Sequence, residues 1–91
     1  MNENHSNAVD LSQTVSAKHP NIHRVGMANA VVYTYAVTST MVLEGYDPTD
    51  FDMLDAIEEM ILAGVNFMNL TDRDEWDIVE AIIMQNAHPH L

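Results

Sequence analysis

Charge is distributed along this chain so unevenly that it dictates how the second half can fold. Of fourteen Asp and Glu residues, all but Glu3 and Asp10 lie within 44–91, while of three Lys and Arg residues only Arg73 does. Residues 1–43 therefore sum to zero, and the whole formal net charge of −11 belongs to the C-terminal half. Helices gain from opposite charges at i,i+4, and a solvated surface normally mixes both signs. Here that mixing is absent. The acidic half must bury apolar residues on one side of each element while every carboxylate stays in water. Such a surface repels nucleic acid and anionic lipid and attracts basic protein surfaces.

With 91 residues, 47% of them hydrophobic and 19% charged, the chain has the balance of a small globular domain. A chain this short buries only about 60% of its extended surface, so its fold is expected to be marginal or completed by a partner subunit. The absence of cysteine excludes disulfides, thiolate metal sites and a cysteine nucleophile. No apolar run is long enough for a bilayer, and the N-terminus lacks a signal-peptide pattern.

The pattern along the chain predicts an all-α fold with three main helices, preceded by a polar segment. In residues 1–20 only Val9, Leu11 and Val15 fall at loose helical spacing, consistent with at most one short helix. The acidic helical domain then runs from 21 to 91. Residues 21–44 are β-branched in the middle, which favours a strand by propensity. Length argues the other way, because strands rarely run twenty residues without a break. Val25, Ala28, Val32, Tyr35, Ala36, Ser39 and Leu43 share one helical face, and Gly45 supplies a stop. Asp47 before Pro48 predicts the start of a second helix over 48–63, with Phe51, Leu54, Ile57 and Ile61 as its apolar stripe. Thr71 with Asp74 resembles a capping box opening a third helix, 72–86, whose inner face is Trp76, Val79, Ile82 and Ile83. Residues 51–57 (FDMLDAI) and 76–82 (WDIVEAI) echo one another, as two amphipathic helices meeting the same packing problem do.

Acids in a first helical turn face the positive end of the helix dipole, each worth about 0.3–1 kcal/mol. That explains Asp47, Asp50, Asp72, Asp74 and Glu75, but not Asp55, Glu58, Glu59, Asp77 or Glu80. The pairs Asp52–Asp55, Asp55–Glu58, Asp55–Glu59 and Asp77–Glu80 set like charges at i,i+3 or i,i+4, and each costs a few tenths of a kcal/mol. A solvated, solubilising face is one reading. The other is a partner with a basic groove. Carboxylates three or four apart on a helix lie about 5–6 Å from one another, a spacing comparable to a phosphate track. They can occupy a DNA-binding groove as phosphates do, with the same sensitivity to salt.

Residues 27–47, MANAVVYTYAVTSTMVLEGYD, add a resemblance. Asn29-Ala30-Val31, Tyr35-Ala36, Ser39, Met41, Glu44-Gly45 and Asp47, aligned with one single-residue gap, resemble the Ocr family of phage anti-restriction proteins, small all-helical DNA mimics. Leu70-Thr71, Trp76 and Ala81 are a weaker echo, and the stronger part covers about a fifth of the chain. The chain differs from the family in lacking a long acidic C-terminal tail and in its nearly uncharged N-terminal segment. The resemblance implies a dimeric inhibitor, working in the host cytoplasm, that fills the DNA-binding groove of a type I restriction-modification enzyme. On this reading the partner-facing residues are Asp47, Asp50, Asp52, Asp55, Glu58, Glu59, Asp72, Asp74, Glu75, Asp77 and Glu80. A repair glycosylase, a CRISPR effector or a nucleoid protein presents a comparable basic track. The competing class is an acidic helical adaptor docking one protein through an apolar face around Trp76 and the methionines.

Other chemistry fits poorly, and no cofactor, metal or enzymatic activity is expected. An EF-hand loop starting at Asp47 would place Phe51 at a ligand position, and one starting at Asp50 would place Leu54 there. His19 and His23 straddle Pro20, and His88 and His90 flank Pro89, so solvated histidines near segment ends are the default expectation. Nucleophile–base groupings, phosphate-cradling glycine loops and dinucleotide fingerprints are missing. Most methionines read as core filler, with Met60, Met68 and Met84 as candidates for a subunit contact.

Overall fold

The computed structural model describes residues 18–89, and every regular element within them is helical. Helix α1 spans Pro20–Val25, α2 Met27–Leu43, α3 Met53–Leu62 and α4 Arg73–Gln85, with a 3-10 turn at Pro48–Asp50. The all-α expectation holds, with four helices among the described residues in place of three. The short helix expected within 1–20 falls almost wholly outside the described residues. Among those described, no helix is long and apolar enough to cross a membrane.

The stretch expected as one helix over 21–44 is two. Gly26 adopts φ 90, ψ 146, a backbone region that in practice only glycine enters. Its N–H closes α1 on the Ile22 and His23 carbonyls, while its own carbonyl accepts the Ala30 N–H that starts α2. One residue thus ends one helix and begins the next. At the far end the Gly45 stop is as expected. The Gly45 N–H reaches Val42 O and the Tyr46 N–H reaches Met41 O, the two bonds of a Schellman closure.

Helix α2 carries no charged residue and is apolar nearly all round. It buries Ala30, Val37 and Met41 against the core, a different face from the one expected. The stripe chosen from sequence points outward: Val32 is 49% exposed, Tyr35 74% and Leu43 87%. Both stripes satisfy helical periodicity, and only the neighbours decide which one the chain itself covers.

The expected 48–63 helix also begins later. Asp47 caps only the 3-10 turn. Phe51 is extended and pairs antiparallel with Ala87, through Asp52 N–H to Asn86 O and His88 N–H to Asp50 O, both 2.8 Å. The N-cap of α3 is Asp52, and that of α4 is Asp72 in place of Thr71. The echo between 51–57 and 76–82 is therefore only partial, since Phe51 stands outside a helix and Trp76 within one. Leu54, expected in the stripe, is exposed, and Ala56 and Met60 take its place.

Helix α3 packs against α1, α2 and α4. Ile22, Val37, Met41, Ile57, Met60, Trp76, Val79 and Ile83 form the fully buried centre. Trp76, Val79, Ile82 and Ile83 are the inner face of α4, as expected. The Trp76 indole Nε1 has no hydrogen-bond partner among the described residues, a cost of about 1–3 kcal/mol. Burying its ring returns more, roughly 4–6 kcal/mol from about 150–250 Å². The connector after α3 is held by Phe67, whose ring stacks on Tyr33 of α2 at 4.1 Å. Met60, a candidate subunit contact from sequence, is core. Met68 and Met84 are exposed.

Candidate functional site

The acids of residues 44–91 sort by what their oxygens hold. Three are local caps. Asp47 Oδ1 accepts the Thr49 hydroxyl at 2.7 Å and its N–H at 3.0 Å, and these bonds hold the Asp47 carboxyl below the usual carboxylate range. Asp72 Oδ1 accepts from Asp74 and Glu75 N–H at 2.9 and 3.3 Å. Asp52 Oδ1 lies a longer 3.5 Å from the Asp55 N–H. In each cap the bonds end on Oδ1, so the carboxylate is oriented by the backbone while Oδ2 takes no part.

Three more hold distant parts of the chain together. Glu58 reaches from α3 to the start of α1. Its Oε1 accepts from Asn21 Nδ2 at 2.8 Å and Asn21 N–H at 3.3 Å, and its Oε2 from Ile22 N–H at 3.1 Å. The N-cap of α1, His19, offers no side-chain acceptor, so Glu58 supplies the missing cap and its charge suits the helix dipole. Glu75 Oε2 accepts the Asn66 N–H at 3.1 Å and ties the connector to α4. Glu80 Oε2 accepts the Tyr46 hydroxyl at 2.6 Å; this bond first, and burial second, raise the phenol above its ordinary pKa.

The one Lys or Arg of residues 44–91 sits between two acids. Arg73 lies 3.3 Å from Asp77 and 3.7 Å from Glu44. It offsets the Asp77–Glu80 repulsion expected from sequence and the unfavourable position of Glu44 at the end of α2. Repulsion persists at Asp55, where the hydrogen-bonded Asp52 carboxyl, then burial, then the charge of Asp52 hold its pKa above the ordinary value. His19 pulls it the other way, with Nδ1 3.5 Å from Asp55 Oδ1. His19 is also buried, contrary to the expectation of solvated histidines. His90 lies outside the described residues.

All eleven sequence-selected acids reach solvent. Asp47, Asp50, Asp52, Asp55, Asp72, Asp74 and Asp77 are exposed, and Glu58, Glu59, Glu75 and Glu80 half-buried. Among the described residues, Asp50, Glu59 and Asp74 have no side-chain hydrogen bond or ion pair. Asp74 lies in the first turn of α4 and Asp50 in the 3-10 turn, where the dipole favours an acid, so Glu59 alone has neither a partner nor a dipole to account for it. No three His, Asp or Glu side chains converge among the described residues in a way that would hold a metal ion.

A second surface was missed from sequence, the outward apolar stripe of α2. Its signal was available: between Arg24 and Glu44 there is no charge on any side of the helix. Trp76, expected at the centre of an apolar docking face, is 1% exposed and belongs to the core. No protein-family model, curated protein or solved structure matches the chain.

Proposed function

We propose that this protein is a DNA mimic, an inhibitor whose acidic helices occupy the DNA-binding groove of a host defence enzyme, foremost a type I restriction-modification enzyme. One observation carries the reading. In a half-chain of twelve acids and one Lys or Arg, Arg73 already lies between Glu44 and Asp77, and the side chains of Asp50, Glu59 and Asp74 have no hydrogen-bond or ion-pair partner among the described residues. The capping acids Asp47, Asp52 and Asp72 add charge fixed by backbone bonds. Fixed charges lose little freedom on binding, which favours association. Inhibition is by occlusion, without turnover.

The active unit on this reading is a homodimer joined through the outward stripe of α2. A helix apolar on all sides is normally buried on all sides, and α2 covers only one of its two apolar faces. A dimer through that face leaves the acids of α3 and α4 to the target. The direct test is ATP-dependent cleavage of unmodified DNA by a type I restriction enzyme, with near-stoichiometric protein. Inhibition relieved by added salt is the expected result. Unimpeded cleavage at physiological salt retires the restriction target.

The same stripe favours a second reading, an acidic adaptor that docks one protein through α2. That complex would barely respond to salt, and the free protein would be monomeric.

A further inference from the structure

An apolar groove of about 410 Å³ runs beside α2 on the side facing α1 and α3, lined chiefly by Ile22, Met27, Val31, Thr34, Tyr35 and Leu54. None of these carries charge. Thr34, one of its few polar groups, already donates its hydroxyl to Ala30 O at 2.8 Å. Met27, Val31, Tyr35 and Leu54 are left 40%, 64%, 74% and 43% exposed. The groove centres on Met27, Val31, Thr34 and Thr38, about 100° or more around α2 from Val32 and Leu43, and it shares Tyr35 with that outward stripe.

We propose that residues 1–17 of the same chain fill this groove, seating Val9, Leu11 and Val15 against it. The segment ends next to the site, since Ile22 in the groove wall follows Ala17 by five residues. Its reach is ample: seventeen residues span about 25 Å as a helix and over 50 Å extended. The α2 side of the groove, from Met27 to Thr38, needs roughly 16 Å at 1.5 Å per residue. The chemistry also matches. Apart from Glu3 and Asp10 the segment is formally uncharged, and its aliphatic residues are Ala8, Val9, Leu11, Val15 and Ala17. A charged peptide would find nothing to pair with in the groove. Tethering gives the segment a millimolar effective concentration, above that of a second copy in dilute solution.

The test is heteronuclear NMR of the full chain at low concentration, comparing the parent with the double variant Leu11→Asp, Val15→Asp. The expected result is shifted amide resonances for Met27, Val31, Thr34 and Thr38, with Val79 and Ile83 of α4 unmoved. Val31→Glu should reciprocally shift Leu11 and Val15. Changes confined to residues 1–18 would overturn the proposal. So would shifts at the groove that vanish on dilution, or contacts seen only between differently labelled chains, because these assign the groove to a second copy.

Discussion

Glu58 and Asn21 stand thirty-seven positions apart, yet the Glu58 carboxylate of α3 accepts both the side-chain and the main-chain N–H of Asn21 in the first turn of α1. An acid that reads from sequence as surplus surface charge is thereby a tertiary helix cap. Glu58→Ala should cost about 1–2 kcal/mol, or roughly 5–15 °C in Tm. Glu58→Gln, which keeps an acceptor, should lose less. Equal stability of the Ala variant and the parent in thermal unfolding would remove the cap from the account.

Tyr46 and Glu80 give a pH signature. The phenol should ionise above the ordinary 10.0 in an ultraviolet titration, and Glu80→Gln should bring it back toward that value. Because the folded-state pKa is raised, the contribution to stability is complete below pH 10 and is lost as pH rises through the folded value. Tyr46→Phe has no phenol to ionise, so it should be less stable than the parent below pH 10 and the gap should close as pH rises through the folded value. The simpler readout is the titration itself.

Asp52 and Asp55 form the unrelieved repulsion of the fold. Asp52→Asn keeps a good N-cap while removing a charge. Carbon-detected NMR titration should then show the Asp55 pKa falling toward the ordinary 3.8, with stability at neutral pH unchanged or improved. A raised carboxyl pKa means the native state prefers the protonated form, so in the parent this group disfavours folding above its pKa and favours it as pH falls. An Asp55 pKa indifferent to Asp52→Asn would contradict the pairing.

Gly26 should resist replacement despite open space around it. A Cβ there meets nothing within 4 Å, so the cost of Gly26→Ala is conformational, about 1–3 kcal/mol. Chemical denaturation measures it. A neutral substitution would mean the α1–α2 break does not need φ near 90.

Much of this fold is legible in the sequence, and the failures share a cause. The inner face of α4 follows from Trp76, Val79, Ile82 and Ile83 because Asp and Glu occupy much of the opposite face and leave one stripe to bury. Helix α2 offers no such contrast. With no charge to mark the wet side, periodicity selects Val32, Tyr35 and Leu43 as readily as Ala30, Val37 and Met41, and packing against α3 makes the choice. The acids behave similarly. Their exposure was evident, but the roles of Glu58, Glu75 and Glu80 depend on partners nine to thirty-seven positions away. Sequence spacing does not show such pairs. It does show caps, and even there Asp72 displaced the expected Thr71 by one position.

The outward stripe of α2 makes its own prediction. Leu43 is 87% exposed, so Leu43→Glu should leave the monomer fold and its circular dichroism intact while sedimentation shifts from dimer to monomer. A parent protein that sediments as a monomer at micromolar concentration would favour the adaptor reading instead.

The most direct test of electrostatic mimicry is charge reversal at the acids without structural partners. Reversing Asp52, Asp55 or Asp77 would confound binding with folding, because they hold the α3 cap, His19 and Arg73. Asp50→Lys, Glu59→Lys and Asp74→Lys, combined in one chain, avoid those contacts. The measurement is inhibition of type I restriction cleavage by this variant and by the parent, at equal concentration and physiological salt. The account predicts retained helicity, a Tm lowered by only a few degrees (roughly 1 kcal/mol) through the lost Asp74 dipole term, and markedly weaker inhibition. Inhibition as strong as the parent's, from an intact fold, would contradict it.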